Sequence, residues 1–220
     1  MRGLRIAPFL FSAAAAVFAQ GTAAPAGGLP PEVSAAFARS AALYSDGSSH
    51  RSSFVQIYTP AGFTTAKRES GELWIQAPQR LRFEYEAPEK KTFTYDAGEG
   101  RLFTPEDKQL TIQKLTAEDR ARLPVVFLSD PADLARVYSA SSEAADGGAK
   151  RILLKPRAPR ADLAWLRLSV ARDGRVQELS YEDASGNRTE FRFEGWRKDQ
   201  PRPAADYRVT GPPGTRILQN

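Results

Sequence analysis

Between Gly71 and Asp96 the chain reads GELWIQAPQRLRFEYEAPEKKTFTYD, and its side chains alternate in character. Leu81, Phe83 and Tyr85 take turns with Arg82, Glu84 and Glu86. Beyond a proline-containing break, Phe93 and Tyr95 take turns with Thr92, Thr94 and Asp96. A period of two belongs to the β-strand, which sends successive side chains to opposite faces. One face here is bulky and apolar and the other charged, the pattern of antiparallel strands with one buried and one wet side. A flat sheet of this kind would leave its apolar face in water, so the chain must curl it around an interior.

The strands on either side extend the pattern. Phe54 to Tyr58 and Thr65 to Gln76 precede it, and Arg101 to Thr104 and Gln109 to Leu115 follow, each joined to the next by a short turn. Six strands in such an order make a meander. A second β block contains Lys150 to Lys155, Leu163 to Val170, Arg175 to Asp183 and Thr189 to Trp196, with Tyr207 to Val209 as a last short strand. Asp173-Gly174 reads as a two-residue hairpin turn. The helical signals are three. Pro31 opens a helix from Glu32 to Tyr44 whose Val33, Ala36, Phe37, Ser40 and Tyr44 share one face. Thr116-x-x-Asp119 resembles a capping box before a short helix from Ala117 to Leu123. Asp130-Pro131 begins another helix, to about Tyr138, with Leu134, Val137 and Tyr138 apolar.

This is a mainly β fold: an incomplete, unclosed antiparallel β-barrel of about ten or eleven strands with a three-helix lid. A barrel of more than about eight strands tends to enclose space. The expected lining of a hydrophobic cavity is Leu81, Phe83, Tyr85, Phe93, Tyr95, Leu166, Leu168, Phe191 and Phe193, with Phe37, Val126, Phe127 and Leu134 on the lid. The same residues could simply pack on one another as an ordinary core, the commoner arrangement for such side chains. A hollow lined this way would take acyl chains.

The first residues place the protein outside the cytoplasm. Arg2 and Arg5 precede the apolar run Ile6 to Ala19, and Val17-Phe18-Ala19 fits the small-x-small cleavage rule of a secretory signal peptide. The expected division is residues 1–19 as signal, 20–31 as a Pro/Gly/Ala linker and 32–220 as one domain. A free, untethered exported protein is anticipated, because there is no Cys to carry a lipid anchor. The 31 basic and 26 acidic residues give a formal charge of +5, which drops to +3 once Arg2 and Arg5 leave. That balance and an exported address argue against nucleic acid.

The inventory also limits catalysis. Without Cys and with His50 alone in a Ser-rich segment read as a solvated turn, Cys–His chemistry is excluded and the usual His/Cys zinc set cannot be assembled. Carboxylates fall on the wet faces of strands or in turns, and no glycine-rich phosphate loop is present. No catalytic residue, metal or cofactor is expected. A carboxylate-based hydrolase is the alternative from another class.

The run SGELWIQAPQRLRFEYEAP from Ser70 to Pro88, the turn Tyr95-Asp96-Ala97-Gly98, and GNRTEFRF (Gly186 to Phe193) followed by PPGT (Pro212 to Thr215) resemble the LolA family of periplasmic outer-membrane lipoprotein carriers. The resemblance implies a chaperone that takes lipoproteins from an inner-membrane lipoprotein-releasing ABC transporter, shields their acyl chains in its cavity, and passes them to an outer-membrane lipoprotein acceptor, working as a monomer. A lipid or lipoprotein sensor of the same fold is the alternative. One departure stands out: where the family has an Arg that bonds to the lid, this chain has Ala77. The latch is then expected to pass to Arg80 or Arg82, or the closed state to be less favoured.

Overall fold

The structure, a computed structural model, describes residues 28–77, 80–116, 119–120, 123 and 131–219. Helix α1 (Pro31–Tyr44) starts at the expected proline, and its buried residues are Val33, Ala36, Phe37, Ser40 and Tyr44, the face read from the spacing. A second helix, α2 (Pro131–Val137), buries Leu134 and Ala135. Among the described residues no helix is long and apolar enough to cross a membrane.

The strands are β1 (Ser49–Thr59), β2 (Lys67–Gln76), β3 (Arg80–Ala87), β4 (Lys91–Asp96), β5 (Glu99–Thr104), β6 (Gln109–Lys114), β7 (Tyr138–Ala144), β8 (Lys150–Pro156), β9 (Trp165–Val170), β10 (Val176–Glu182), β11 (Arg188–Asp199) and β12 (Arg216–Gln219). They form a single 12-stranded sheet in the order β12-β6-β5-β4-β3-β2-β1-β11-β10-β9-β8-β7. β12 and β7 are its two edges, so the barrel is unclosed. Every pairing is antiparallel except that of β12 with β6. The two β blocks meet where β1 pairs with β11, from Ser49 opposite Asp199, past Phe54 opposite Phe193, to Thr59 opposite Arg188.

Curvature has a visible source in β2. The register shifts between Ser70 and Gly71, and a Cβ added to Gly71 would lie 1.8 Å from the Glu84 carbonyl oxygen. Only glycine lets β3 cross so close, and such irregularities bend a sheet.

Several sequence expectations need correction. The second block gains β7, whose YSASSEA sequence lacks the bulky residues that announce a strand. Tyr207 does not begin a final strand; Ala204–Tyr207 is a 3₁₀ turn and the last strand is Arg216–Gln219. His50 is not a solvated turn residue but part of β1 and 6% exposed. The β9–β10 connection is not a two-residue turn: Ala171 N–H donates to Arg175 O, closing a loop of three residues, Arg172 to Gly174, and Gly174, at φ +91°, donates to Ala171 O. The capping box is as read: Thr116 N–H donates to Asp119 Oδ2 at 3.0 Å and Asp119 N–H to Thr116 Oγ1 at 3.2 Å. The signal segment, residues 20–27 of the linker, most of the Ala117–Leu123 helix, Asp130, and Val126 and Phe127 of the expected lid lie outside the described residues.

Candidate functional site

All nine residues expected to line the interior are on the concave face and at most 4% exposed. Along β3 and β4, Leu81 faces Tyr95 and Phe83 faces Phe93; Phe191 and Phe193 come from β11, and Leu166 and Leu168 from β9. Sequence reasoning missed Phe54 of β1, the ring at the centre of the group. It meets Phe83 and Tyr85 edge-on, both at 5.0 Å between centroids. Phe83 also lies 5.7 Å from Phe191, which stacks on Phe193 at 6.0 Å. Edge-to-face and offset contacts at these separations are the favourable ones. The rings occupy the interior themselves, together with Phe37 of α1 and Leu134 of α2.

α1 crosses the end of the barrel where β1 and β10 begin, and its C-terminal half is fastened there. Ser40 Oγ donates to Gly174 O at 2.8 Å in the β9–β10 loop. A Cβ on Gly174 would come within 2.8 Å of the Arg39 carbonyl oxygen, so glycine lets helix and loop touch. Two residues on, the Val176 N–H donates to Tyr44 Oη at 3.4 Å. Tyr44 stands edge-on to His50 at 5.0 Å and to Trp196 at 5.4 Å, and burial pushes its hydroxyl pKa up. Trp196 is fixed in turn, its Nε1–H donating to Val176 O at 2.7 Å.

Just past the helix, Asp46 Oδ1 is 3.2 Å from His50 Nε2 and Oδ2 is 2.8 Å from Lys198 Nζ. The Lys198 bond, followed by the Ser48 N–H and His50, holds the Asp46 carboxyl well below the usual carboxylate range. These groups, with Leu43, Tyr44, Arg175, Trp196 and Arg197, line a cleft of about 190 Å³.

The expected latch residues work elsewhere. Arg80 bonds to Asp96 at 3.1 Å, while Arg82 bonds to Glu84 and to the Asp206 carbonyl. Arg82 thereby ties the chain after β11 to the outer face of the sheet, while Arg80 braces β4, whose Asp96 also takes Arg208 from that segment. There Arg51 and Arg202 bracket the Trp74 ring at 5.1 and 4.8 Å, Tyr207 is buried beside Ser49 and Gln76, and Arg208 reaches Asp96 at 2.7 Å. α1 is instead fastened through Ser40 to the Gly174 carbonyl and through Tyr44 to the Val176 N–H. The arrangement offers apolar burial; among the described residues no cluster of His, Asp or Glu is placed to hold a metal ion, and His50 contacts Asp46 and the Tyr44 ring.

A curled, open-edged sheet around an aromatic interior, with one amphipathic helix fastened over its end, defines a half-barrel protein of the kind that keeps apolar groups from water. The family profile described as outer membrane lipoprotein carrier protein LolA matches residues 46–210, and the chain belongs to that family. It is 29% identical over 167 residues to the outer-membrane lipoprotein carrier protein of Xanthomonas campestris, covering 75% of this chain and 79% of that one. The protein of the same name from Pseudomonas fluorescens is 26% identical, with 76% and 79% covered. Among solved structures, an uncharacterized conserved protein from Thermus thermophilus superposes with a TM-score of 0.55 at 10% identity, over 86% of this chain and 99% of that one. MucB gives 0.52 at 14% identity, over 87% and 67%. At these identities the two structures speak for the fold alone.

Proposed function

We propose that this protein is a periplasmic carrier that holds the acyl chains of lipoproteins between the strands and α1 and moves them from the inner to the outer membrane. The observation that carries the proposal is the pairing of the half-barrel with an aromatic interior covered by α1, whose polar bonds to the barrel are few among the described residues. Leu81, Phe83, Tyr85, Phe93, Tyr95, Leu166, Leu168, Phe191 and Phe193 are the proposed acyl contacts, and Phe37 and Leu134 the lid contacts that acyl chains displace.

The energetics fit reversible loading. Each methylene taken from water contributes about 0.8 kcal/mol. Lifting α1 re-exposes Val33, Phe37 and Tyr44, each fully buried and worth about 1.5–3 kcal/mol when covered. The two terms are of similar size for a partly inserted chain, so cargo can enter and still leave for a better-fitting acceptor. An inner-membrane releasing transporter and an outer-membrane acceptor are the partners this reading requires. No step makes or breaks a covalent bond.

The test is native mass spectrometry of the mature protein with a diacylated lipopeptide, alongside Phe83→Glu. Wild type should carry lipopeptide and the variant, still folded by circular dichroism, should not. Equal loading of the two would remove the interior from the binding reaction.

A further inference from the structure

Where the interior approaches the end remote from α1, its character changes within one residue pair on four neighbouring strands. On β1 the inward residue after Phe54 is Gln56; on β2 Glu69 follows Gly71; on β3 Tyr85 follows Phe83; on β4, read in the same direction, Lys91 follows Phe93. The register sets these side by side, Gln56 opposite Glu69 and Tyr85 opposite Lys91. They are bonded into a unit. Tyr85 Oη donates to Gln56 Oε1 at 2.7 Å, Lys91 Nζ donates to Glu69 Oε1 at 2.5 Å, and the same ammonium sits 4.4 Å above the Tyr85 ring.

This is not a solvated surface pair. The side chains of Lys91 and Glu69 are 11% and 9% exposed, and Gln56 and Tyr85 are buried as well. Burial, together with the Glu69 charge, pushes the Tyr85 hydroxyl pKa well up. A buried ion pair gives little net stability compared with apolar side chains of the same volume, so packing alone does not call for one here. Beyond the row β2 and β3 leave the interior, Lys67 and Ala87 being exposed, while Tyr58 of β1, two residues past Gln56, is half-buried. On β2, β3 and β4 the polar row is the last inward layer.

We propose that Gln56, Glu69, Tyr85 and Lys91 form an end stop that sets how long an acyl chain the interior accepts. The inference rests on the carrier reading and adds its selectivity. A chain entering beneath α1 has its methyl end deepest. It meets apolar contacts from the Ile75, Leu81 and Tyr95 layer down to Phe83 and Phe93, and the full run from Leu81 to Tyr85 spans roughly 14 Å at about 3.4 Å per residue. To go further it would have to lie against a lysine and a glutamate that already satisfy each other, and parting them would leave uncompensated buried charge. Additional methylenes then gain nothing by going deeper.

The experiment measures affinity for N-acyl dipeptides with saturated chains lengthened two carbons at a time, using wild type and the double substitution Glu69→Leu with Lys91→Met. In wild type, affinity should rise about fourfold per methylene and then level off; in the variant the levelling point should move to longer chains. Because the variant alters a buried pair, a second measurement uses wild type alone: a probe with a photoreactive group at its terminal carbon should label Tyr85, Lys91 or Gln56. A shared levelling point, or labelling confined to the Ile75 and Tyr95 layer, overturns the end stop while leaving the carrier intact. Failure of wild type to bind any of the series overturns both.

Discussion

Replacing Gly174 by Ala tests whether α1 is held by its contact with the β9–β10 loop. Two costs can be separated. Gly174 has φ +91°, and a residue with a Cβ in left-handed backbone is disfavoured by about 1–2 kcal/mol; that strain stays in the hairpin whether α1 is seated or lifted. The new Cβ would also lie 2.8 Å from the Arg39 carbonyl oxygen, so the helix must rise and Ser40 must release the Gly174 carbonyl. Leaving that buried acceptor unpartnered costs about 1–3 kcal/mol. At about 2 kcal/mol, the seated-to-lifted ratio of α1 falls roughly thirtyfold. Hydrogen exchange reads this directly, because amides of residues 36–44 should lose protection by that factor beyond any loss shared with the β1–β11 core. Lipopeptide uptake should quicken with it. If global stability drops while α1 keeps its protection relative to the core, the loop has absorbed the added methyl and the contact does not hold the helix.

Ser40→Ala, with no backbone strain, should produce the same pattern at smaller size, about 1 kcal/mol in α1 protection. Phe54→Ala removes the ring that touches Phe83, Tyr85 and Phe191 and should lower unfolding stability by about 3–5 kcal/mol in urea titrations. Asp46, whose carboxyl is depressed by Lys198 first and by Ser48 and His50 after it, stabilises the fold at pH above the ordinary carboxylate value. That contribution drains away as pH falls from near 3.8 toward the depressed folded value. Asp46→Asn should therefore flatten the acid limb of the urea midpoint against pH, and an unchanged limb would show the Lys198 and His50 contacts to be incidental. Truncation before Gln200 should uncover Trp74, normally bracketed by Arg51 and Arg202, and red-shift the tryptophan emission.

The elements that were legible in the sequence are those whose side chains have to choose a face. The five inward residues of α1 and the alternation of β3 and β4 follow from burial alone, because each large apolar group had one dry side to go to. β7 was invisible: Ser139, Ser141 and Ser142 are small enough to sit at a sheet edge with no preference that a pattern could reveal. Tyr207 looked like a strand residue because it is aromatic and β-prone, yet it serves as a plug over the outer face, bonding Gln76 and Ser49. Its neighbours Pro201 and Pro203 were the signal that no ladder forms there. His50 was assigned to a turn on the strength of its serine-rich surroundings, although Ser52 and Ser49 prove to be buried. In the site, the polar row could have been found: Glu69 has the same parity as Leu73 and Ile75, and Gln56 the same as Phe54. A charged residue on the apolar phase of a strand is a departure that alternation itself exposes.

The joining of β1 to β11 has a consequence for how the chain reaches its fold. Phe54 and its partner Phe193 are far apart in sequence, and bringing such distant segments together is slow because the loop between them must first be closed. Strands β1 to β6 can zip up as successive hairpins as soon as they emerge, but their greasy side then waits, uncovered, for almost the last segment of the chain. During that interval the half-formed protein offers the very surface that its finished form keeps hidden. A nascent molecule is thus itself in need of a guardian, and the dwell time before β11 docks, rather than final stability, is what should decide how much of it aggregates.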